Sequence, residues 1–232
     1  MIEIGNLSVS GFIFFWMIGI ICSQIYYVIE GRKYKLKWYY SLGIGLMILF
    51  FEIVSAKLLF LLENIHNLSR TSFALTGGYS LFGVFLFMPF ILILLSKYLR
   101  NDSMFILDFS SIGILIELAV YRIGCKVVGC CGGITINNYQ IPTQIIECII
   151  DAIIAIALIV LQFKNKIEKN GVKTSLVFIS YGFIRFIIEF FRIRENIIGP
   201  FSISHIFAII TIIIGIVIYY LYNIKKCEES KK

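Results

Sequence analysis

The stretch Ser202–Tyr222, SISHIFAIITIIIGIVIYYLY, decides the fold. It carries no Asp, Glu, Lys or Arg, and Lys225 and Lys226 follow it within a few residues. A helix needs about 20 apolar residues to cross the hydrocarbon core of a bilayer. Within lipid every backbone N–H and C=O must find a partner in the chain itself, which leaves helices or a closed barrel. The run is continuous rather than alternating, so it reads as a helix. The whole chain has the same character. Of its 232 residues 59% are hydrophobic and only 15% charged, and the mean hydropathy is +0.91. A soluble domain is nearer half apolar and a quarter charged, so an ordinary cytosolic enzyme is excluded. Disorder is excluded by the Ile, Leu and Phe content. Six cysteines are too few for a disulfide scaffold of this length.

Working back from this segment, the chain predicts an all-α polytopic membrane protein with about seven transmembrane helices, forming a single integral membrane domain over residues 1–232. The spans fall at about Val9–Ile29, Trp38–Leu62, Phe73–Leu95, Ile106–Val128, Gln144–Leu161, Ser175–Phe191 and Ser202–Tyr222. The segment before the first span holds Glu3 and no Lys or Arg, unlike a cleavable signal peptide. Basic residues follow the odd-numbered spans: Arg32, Lys33, Lys35 and Lys37; Lys97 and Arg100; Lys164, Lys166, Lys169 and Lys173; Lys225, Lys226, Lys231 and Lys232. The positive-inside rule then predicts an outside N-terminus and a cytoplasmic C-terminus. These loops account for much of the net charge of +7. They read as orientation signals and attraction to anionic lipid, with no nucleic-acid partner.

Charges inside spanning helices are costly and usually face a polar interior. Four sets stand out: Glu52 with Lys57; Asp108, Glu117 and Arg122; Glu147 with Asp151; and Arg185, Glu189 and Arg192. The last set recurs at i, i+4 and i+7, on one helical face. Arg185 with Glu189 reads either as a plain intrahelical ion pair or as part of a site. Arg122 adds a second guanidinium at the same expected depth. Converging arginines suit phosphate, because the planar fork binds two oxygens at once and stays charged. At that depth the available phosphate is a phospholipid headgroup.

The segment after the fourth span is Arg122-Ile-Gly-Cys-Lys-Val-Val-Gly-Cys-Cys-Gly-Gly133. Its glycines allow either close approach to a ligand or a flexible turn between helices. Cys125, Cys130 and Cys131 have no fourth Cys or His at ligand spacing, so they read as inert or packed, with no metal and no cofactor expected. Cys22, Cys148 and Cys227 read as structural.

Several motifs, in order, resemble the bacterial prolipoprotein diacylglyceryl transferases. Arg122-Ile-Gly124 with Gly129 resembles the start of that family's R-x-G-N-F-x-N-G-E signature, and Asp108 matches its upstream aspartate. Pro142-Thr143-Gln144-Ile-Ile-Glu147 resembles H-P-T-Q-L-Y-E. Tyr181-Gly182-Phe-Ile-Arg185-Phe-Ile-Ile-Glu189-Phe-Phe-Arg192 resembles Y-G-x-x-R-x-x-x-E-x-x-R. Gly77-Gly78-Tyr-Ser-Leu-Phe82-Gly83 resembles G-G-x-S-F-H-G-G, and Ser55-Ala56-Lys57 sits where the family has G-A-R. Departures are specific. Phe82 stands where many members have a histidine, Cys125 and Val128 replace the signature asparagines, and Cys130 replaces its glutamate. Ile134 replaces a later arginine, Ile141 the His before Pro-Thr-Gln, and Lys57 an arginine. The pattern looks like a divergent, cysteine-containing branch.

The resemblance implies a multi-pass enzyme of the bacterial plasma membrane. It would move a diacylglyceryl group from phosphatidylglycerol to the lipobox cysteine of a prolipoprotein signal peptide, with glycerol phosphate leaving. Arg122, Arg185 and Glu189 are then the expected catalytic residues, the arginines on phosphate. Asp108, Gly124, Cys125, Gly129, Gln144, Glu147, Tyr181 and Arg192 are expected at the substrate. Glu189 and Asp108 would orient guanidiniums, and Gln144 and Tyr181 would donate hydrogen bonds. The base stays open among Glu147, Glu117, Glu189 and His205. Two other readings stand beside this one: a lipid-dependent transferase with another acceptor, and a non-catalytic lipid- or peptide-binding homologue.

Overall fold

The seven apolar runs become seven α-helices. The computed structural model describes residues 2–4, 7–67, 78–98, 103–164, 166–167, 171–193 and 199–229. Gly77, Arg100, Lys169, Lys231 and Lys232, named above for motif or charge, lie outside the described residues, as does the expected start of the third span at Phe73. The helices are α1 (Gly11–Lys33), α2 (Trp38–Glu63), α3 (Phe82–Tyr98), α4 (Ser103–Val128), α5 (Thr143–Phe163), α6 (Val172–Glu189) and α7 (Ile203–Glu229). Two short antiparallel hairpins accompany them, β1 (Ile2–Ile4) with β2 (Leu7–Val9) and β3 (Thr135–Ile136) with β4 (Tyr139–Gln140). Four segments, Gly11–Lys33, Trp38–Glu63, Thr143–Phe163 and Ile203–Leu221, are each long and apolar enough to cross a membrane.

Within the described residues the third helix begins at Phe82, and Gly78–Ser80 before it is not helical. Gly78–Ser80 instead runs alongside α2. The Ser80 backbone N–H donates to Ala56 O at 3.1 Å, the Ser80 hydroxyl to Glu63 at 3.0 Å, and Lys57 Nζ to Gly78 O at 3.3 Å. Tertiary partners on α2 satisfy these groups, so the segment has no need of an intrahelical ladder.

α5 shows how the bundle is put together. Gln144, Glu147, Asp151, Ala155, Leu158 and Gln162 are buried, whereas Ile149, Ile153, Ile156, Val160 and Phe163 are exposed. Both sets recur at three- and four-residue spacing, so one stripe is polar and inward and the other apolar and outward. A water-soluble helix has the opposite arrangement. α1 repeats it, with Ile13, Met17, Ile21, Ile25 and Ile29 outward and Ser23, Gln24 and Glu30 inward. α4 is central and packs on α1, α3, α5 and α6, while α6 packs on α7. Leu107, Phe109, Ile112 and Leu115 of α4 are almost completely buried.

Asp108 is the first correction to the sequence reading. Its carboxylate accepts the Gly171 N–H at 2.7 Å, the Thr174 N–H at 2.9 Å and the Thr174 hydroxyl at 2.7 Å. It therefore caps the start of α6 from the first turns of α4. Arg122 lies about 21 Å further along α4, at 1.5 Å per residue, so Asp108 orients no guanidinium. The first N–H groups of a helix have no intrahelical acceptor, and when buried they need one supplied from elsewhere. The same end of the bundle holds a second buried structural set, with Lys173 Nζ at 2.8 Å from Glu30 Oε1 and Gln162 donating to Glu30. Asp108→Ala is expected to lower stability by about 1–2 kcal/mol. Thermal unfolding in detergent checks this, and an unchanged midpoint would rule out the capping role.

Candidate active site

The polar stripe of α5 meets the two arginine-bearing helices at Glu147. Arg185 Nη1 of α6 lies 2.5 Å from Glu147 Oε1, and Arg122 Nε of α4 pairs with Glu147 Oε2. Arg192, just past α6, reaches the same carboxylate at 3.8 Å. Arg185 Nη2 also pairs with Glu189 at 3.2 Å, one turn along α6, and Arg192 Nη1 approaches Glu189 at 3.9 Å. Arg122, Arg185 and Glu147 are 3%, 6% and 4% exposed. At such burial a lone charge is prohibitive, and these charges are tolerable only because they meet. Three guanidiniums face two carboxylates in direct contact, and a third carboxylate, Asp151, is buried one turn along α5 from Glu147.

Neighbouring groups hold the arginines in place. The Arg185 guanidinium carbon lies 5.4 Å from the centre of the Phe82 ring, a cation–π contact. Tyr181 is buried and its ring stacks on Phe85 with centroids 4.1 Å apart. The Ser202 hydroxyl donates to Glu189 Oε1 at 3.2 Å. His205 Nδ1 accepts the Ser202 N–H at 3.0 Å and lies 3.1 Å from its hydroxyl. The His205 ring is packed against Phe186, Phe190 and Phe201. Among the described residues, Arg122 Nη2, Arg185 Nε and the Tyr181 hydroxyl are buried donors without a hydrogen bond, and Gln144 Oε1 and Asp151 Oδ2 are buried acceptors without one. Each buried unsatisfied donor costs about 1–3 kcal/mol. Donors left over on two arginines and a tyrosine are what an anion with several oxygens would satisfy.

The segment between α4 and α5 is bolted over this cluster. Gly129 turns the chain at φ +78°, a conformation glycine adopts without penalty. The Cys130 N–H then donates back to Cys125 O at 3.0 Å. Gln144 Nε2 holds Cys130 O at 2.7 Å, and the Thr143 hydroxyl holds Cys131 O at 3.1 Å. Gly133 forms a bridge with Arg192, and Ile134 N donates to Phe191 O at 2.8 Å. A Cβ on Gly133 would lie 2.6 Å from Ile141 O and 2.7 Å from Phe191 O, so only glycine lets these backbones meet. The loop thus ties the end of α6 to the start of α5.

Most of the expected site residues come together here: Arg122, Arg185, Arg192, Glu147, Glu189, Tyr181 and Gln144. Gly124 does not reach the cluster; its α-carbon faces Phe12 and Phe15, where a Cβ would meet atoms at 3.2 Å, and it serves helix packing. Gly129 serves the turn. Glu117 points to the other side of α4, where Trp16 Nε1 donates to it at 2.9 Å and Ser23 at 3.4 Å. The sulfurs of Cys125, Cys130 and Cys131 all lie within 4.8 Å of one another. The backbone reversal at Gly129 brings them together, and their spacing along the chain does not reveal it. Ser202 also belongs to the site and is not among the residues expected from the sequence. Its signal is Ser202-x-x-His205 at the start of α7, the register of a capping box with His in the acid's position.

These features define a polytopic membrane protein with a buried cluster of arginines and carboxylates. The sequence profile of the prolipoprotein diacylglyceryl transferases matches residues 1–221, and the chain belongs to that family. Among its relatives is the phosphatidylglycerol–prolipoprotein diacylglyceryl transferase of Clostridium tetani, 26% identical over 245 residues and covering 97% of each chain. The protein named phosphatidylglycerol–prolipoprotein diacylglyceryl transferase 2 of Clostridium perfringens is 24% identical over 251 residues, covering 99% of this chain and 96% of its own. A Finegoldia magna transferase of the same name is 33% identical over 100 residues, 43% of this chain and 40% of the relative.

Two outcomes test the site's electrostatics. Glu147→Ala removes the carboxylate shared by Arg122 and Arg185, and breaking such a buried pair costs about 3–5 kcal/mol; the yield of monodisperse protein in detergent should fall sharply. Cys131, in the loop, is held down to about 5 by the hydrogen bond from Cys125 and, against the effect of burial, by Arg192 and Arg122. Its thiolate is then the main form at neutral pH. In reduced, chelator-treated protein, alkylation of Cys131 should stay level from about pH 8 to about pH 6 and drop only near pH 5. An ordinary thiol would slow about tenfold per unit over that range.

Proposed function

We propose that this chain transfers a diacylglyceryl group from phosphatidylglycerol to a cysteine thiol, the lipobox cysteine of a prolipoprotein signal peptide. The observation that carries this reading is the meeting of Arg122, Arg185 and Arg192 on Glu147, with buried donors left over on Arg122, Arg185 and Tyr181. The leaving group of the reaction is glycerol phosphate, and fixed donors that accept its growing charge lower the barrier. Arg122 and Arg185 take the phosphate oxygens. Glu147 and Glu189 keep the guanidiniums aimed, and Tyr181 adds a hydroxyl donor. The cluster excludes water and fixes the headgroup, so that the reacting carbon is presented to the thiol in one geometry.

Helix order supports the orientation. Successive helices reverse direction, so the ends of α1, α3 and α5, with their basic residues, share the side away from the arginine site. Basic residues favour the cytoplasm, which puts the site near the outer face of the bacterial plasma membrane, where a signal peptide emerges. The outward apolar stripes of α1 and α5 face the lipid that supplies the donor.

Arg122→Ala and Arg185→Ala should each reduce transfer by at least about a hundredfold, as for removal of a fixed transition-state donor. Labelling of a lipobox peptide in phosphatidylglycerol nanodiscs measures this, with insertion checked separately. Near-normal labelling by either properly inserted variant would overturn the assignment.

A further inference from the structure

The proposed reaction needs a thiolate on the incoming peptide, and none of the three glutamates considered above as its base is placed to generate it. Glu147 and Glu189 are engaged with arginines, and protonating either would leave a buried guanidinium short of its partner. Glu117 faces Trp16 and Ser23. Phe82 lies against Arg185 and offers no proton acceptor. A different group beside the arginine site has the right chemistry. The sulfurs of Cys125, Cys130 and Cys131 lie within 4.8 Å of one another, and among the described residues the group includes no fourth Cys, His, Asp or Glu.

We propose that Cys125, Cys130 and Cys131 form a three-sulfur zinc site whose open fourth position takes the substrate thiol. This rests on the transferase reading given above. Structural zinc sites are closed by four protein ligands, while catalytic sites keep one position open. Three ligands therefore fit a catalytic site better than a structural one. At Zn–S distances of about 2.3 Å, tetrahedral sulfurs sit about 3.8 Å apart, so the cluster needs to contract by about 1 Å at most. The loop is braced to hold it, through Gln144 on Cys130 O, Thr143 on Cys131 O and the Cys130–Cys125 backbone bond. Exposure rises from buried Cys125 through Cys130 to exposed Cys131, so the cluster is closed toward the bundle and open at its end. Three thiolates on Zn2+ carry one net negative charge. Arg122, one turn from Cys125 on the same face of α4, balances it, together with Arg192, whose backbone bridges to Gly133.

The chemistry balances as a thiol alkylation. The peptide thiol binds zinc and releases its proton to water, since a metal-bound thiol is deprotonated outright. The sulfur lone pair attacks the glyceryl carbon of phosphatidylglycerol. A C–S bond forms, the C–O bond to phosphate breaks, and glycerol phosphate leaves with the bonding electrons against Arg122 and Arg185. The product thioether has no negative charge, binds zinc weakly and departs. Zinc changes no oxidation state.

The test uses the full chain in detergent. Metal analysis is expected to find stoichiometric zinc in the wild type and in Cys22→Ser, and its loss in Cys125→Ser, Cys130→Ser and Cys131→Ser. Trace zinc in the wild type, zinc retained by the triple serine variant, or a disulfide among the three cysteines in the freshly purified protein each overturns the site. Because serine variants can misfold, the wild type is also loaded with Co2+. Its sulfur-to-metal absorption should change when a lipobox peptide is added and stay unchanged with the Cys→Ser peptide. No change with the thiol peptide overturns the activating role. Stripping the metal should lower transfer about a hundredfold or more, reversibly on return of zinc. Full transfer by metal-free protein sinks this inference and leaves the transferase reading intact. Zinc and thiol binding with no transfer from phosphatidylglycerol sinks the transferase reading and leaves the metal site standing.

Discussion

A guanidinium keeps its proton at any relevant pH, so Arg122 and Arg185 bring two permanent charges into the interior of a helix bundle. Glu147 makes that possible. One carboxylate, projecting from α5, receives Arg122 of α4 on one oxygen and Arg185 of α6 on the other. The three helices are thereby pinned at one depth by charges that none of them tolerates alone. Arg192 and Glu189 extend the contact to the end of α6, and Ser202 carries it to the start of α7.

The remainder of the architecture serves that junction. The apolar stripes of α1 and α5 face outward, so polar residues have nowhere to go but inward. At the opposite end, Asp108 anchors the start of α6 and the Glu30–Lys173 pair ties α1 to it. α6 is thus fixed at both ends, which sets the height of Arg185. The α4–α5 loop lies beside the junction, held to α5 by the side chains of Thr143 and Gln144 and to the end of α6 by backbone bonds. An arginine-rich cluster beside a braced, cysteine-bearing loop brings the proposed phosphate and thiol chemistries side by side.

The two kinds of buried charge look alike in a list of residues. Asp108 and Glu147 are both carboxylates in spanning helices, and both match motif positions of the family. One closes a helix N-terminus with three short hydrogen bonds; the other gathers arginines. What separates them is which neighbouring backbone arrives beside them. The same holds for Gly124, which lets α4 approach α1, and for Gly133, which lets three backbone segments cross.

Composition and periodicity alone determined the seven helices and most of their ends to within a few residues, and marked Arg122, Arg185 and Glu147 as charges that belong away from lipid. This is because lipid imposes a fixed span length and a steep penalty on unpaired charge, and both leave a signature in the chain. The start of α3 at Phe82, the capping role of Asp108, the Ser202–Glu189 bond and the gathering of three sulfurs were decided only in the folded molecule. Each depends on a backbone reversal or on a partner distant in sequence. Such contacts are set by how helices pack against one another, and local residue spacing carries no record of them.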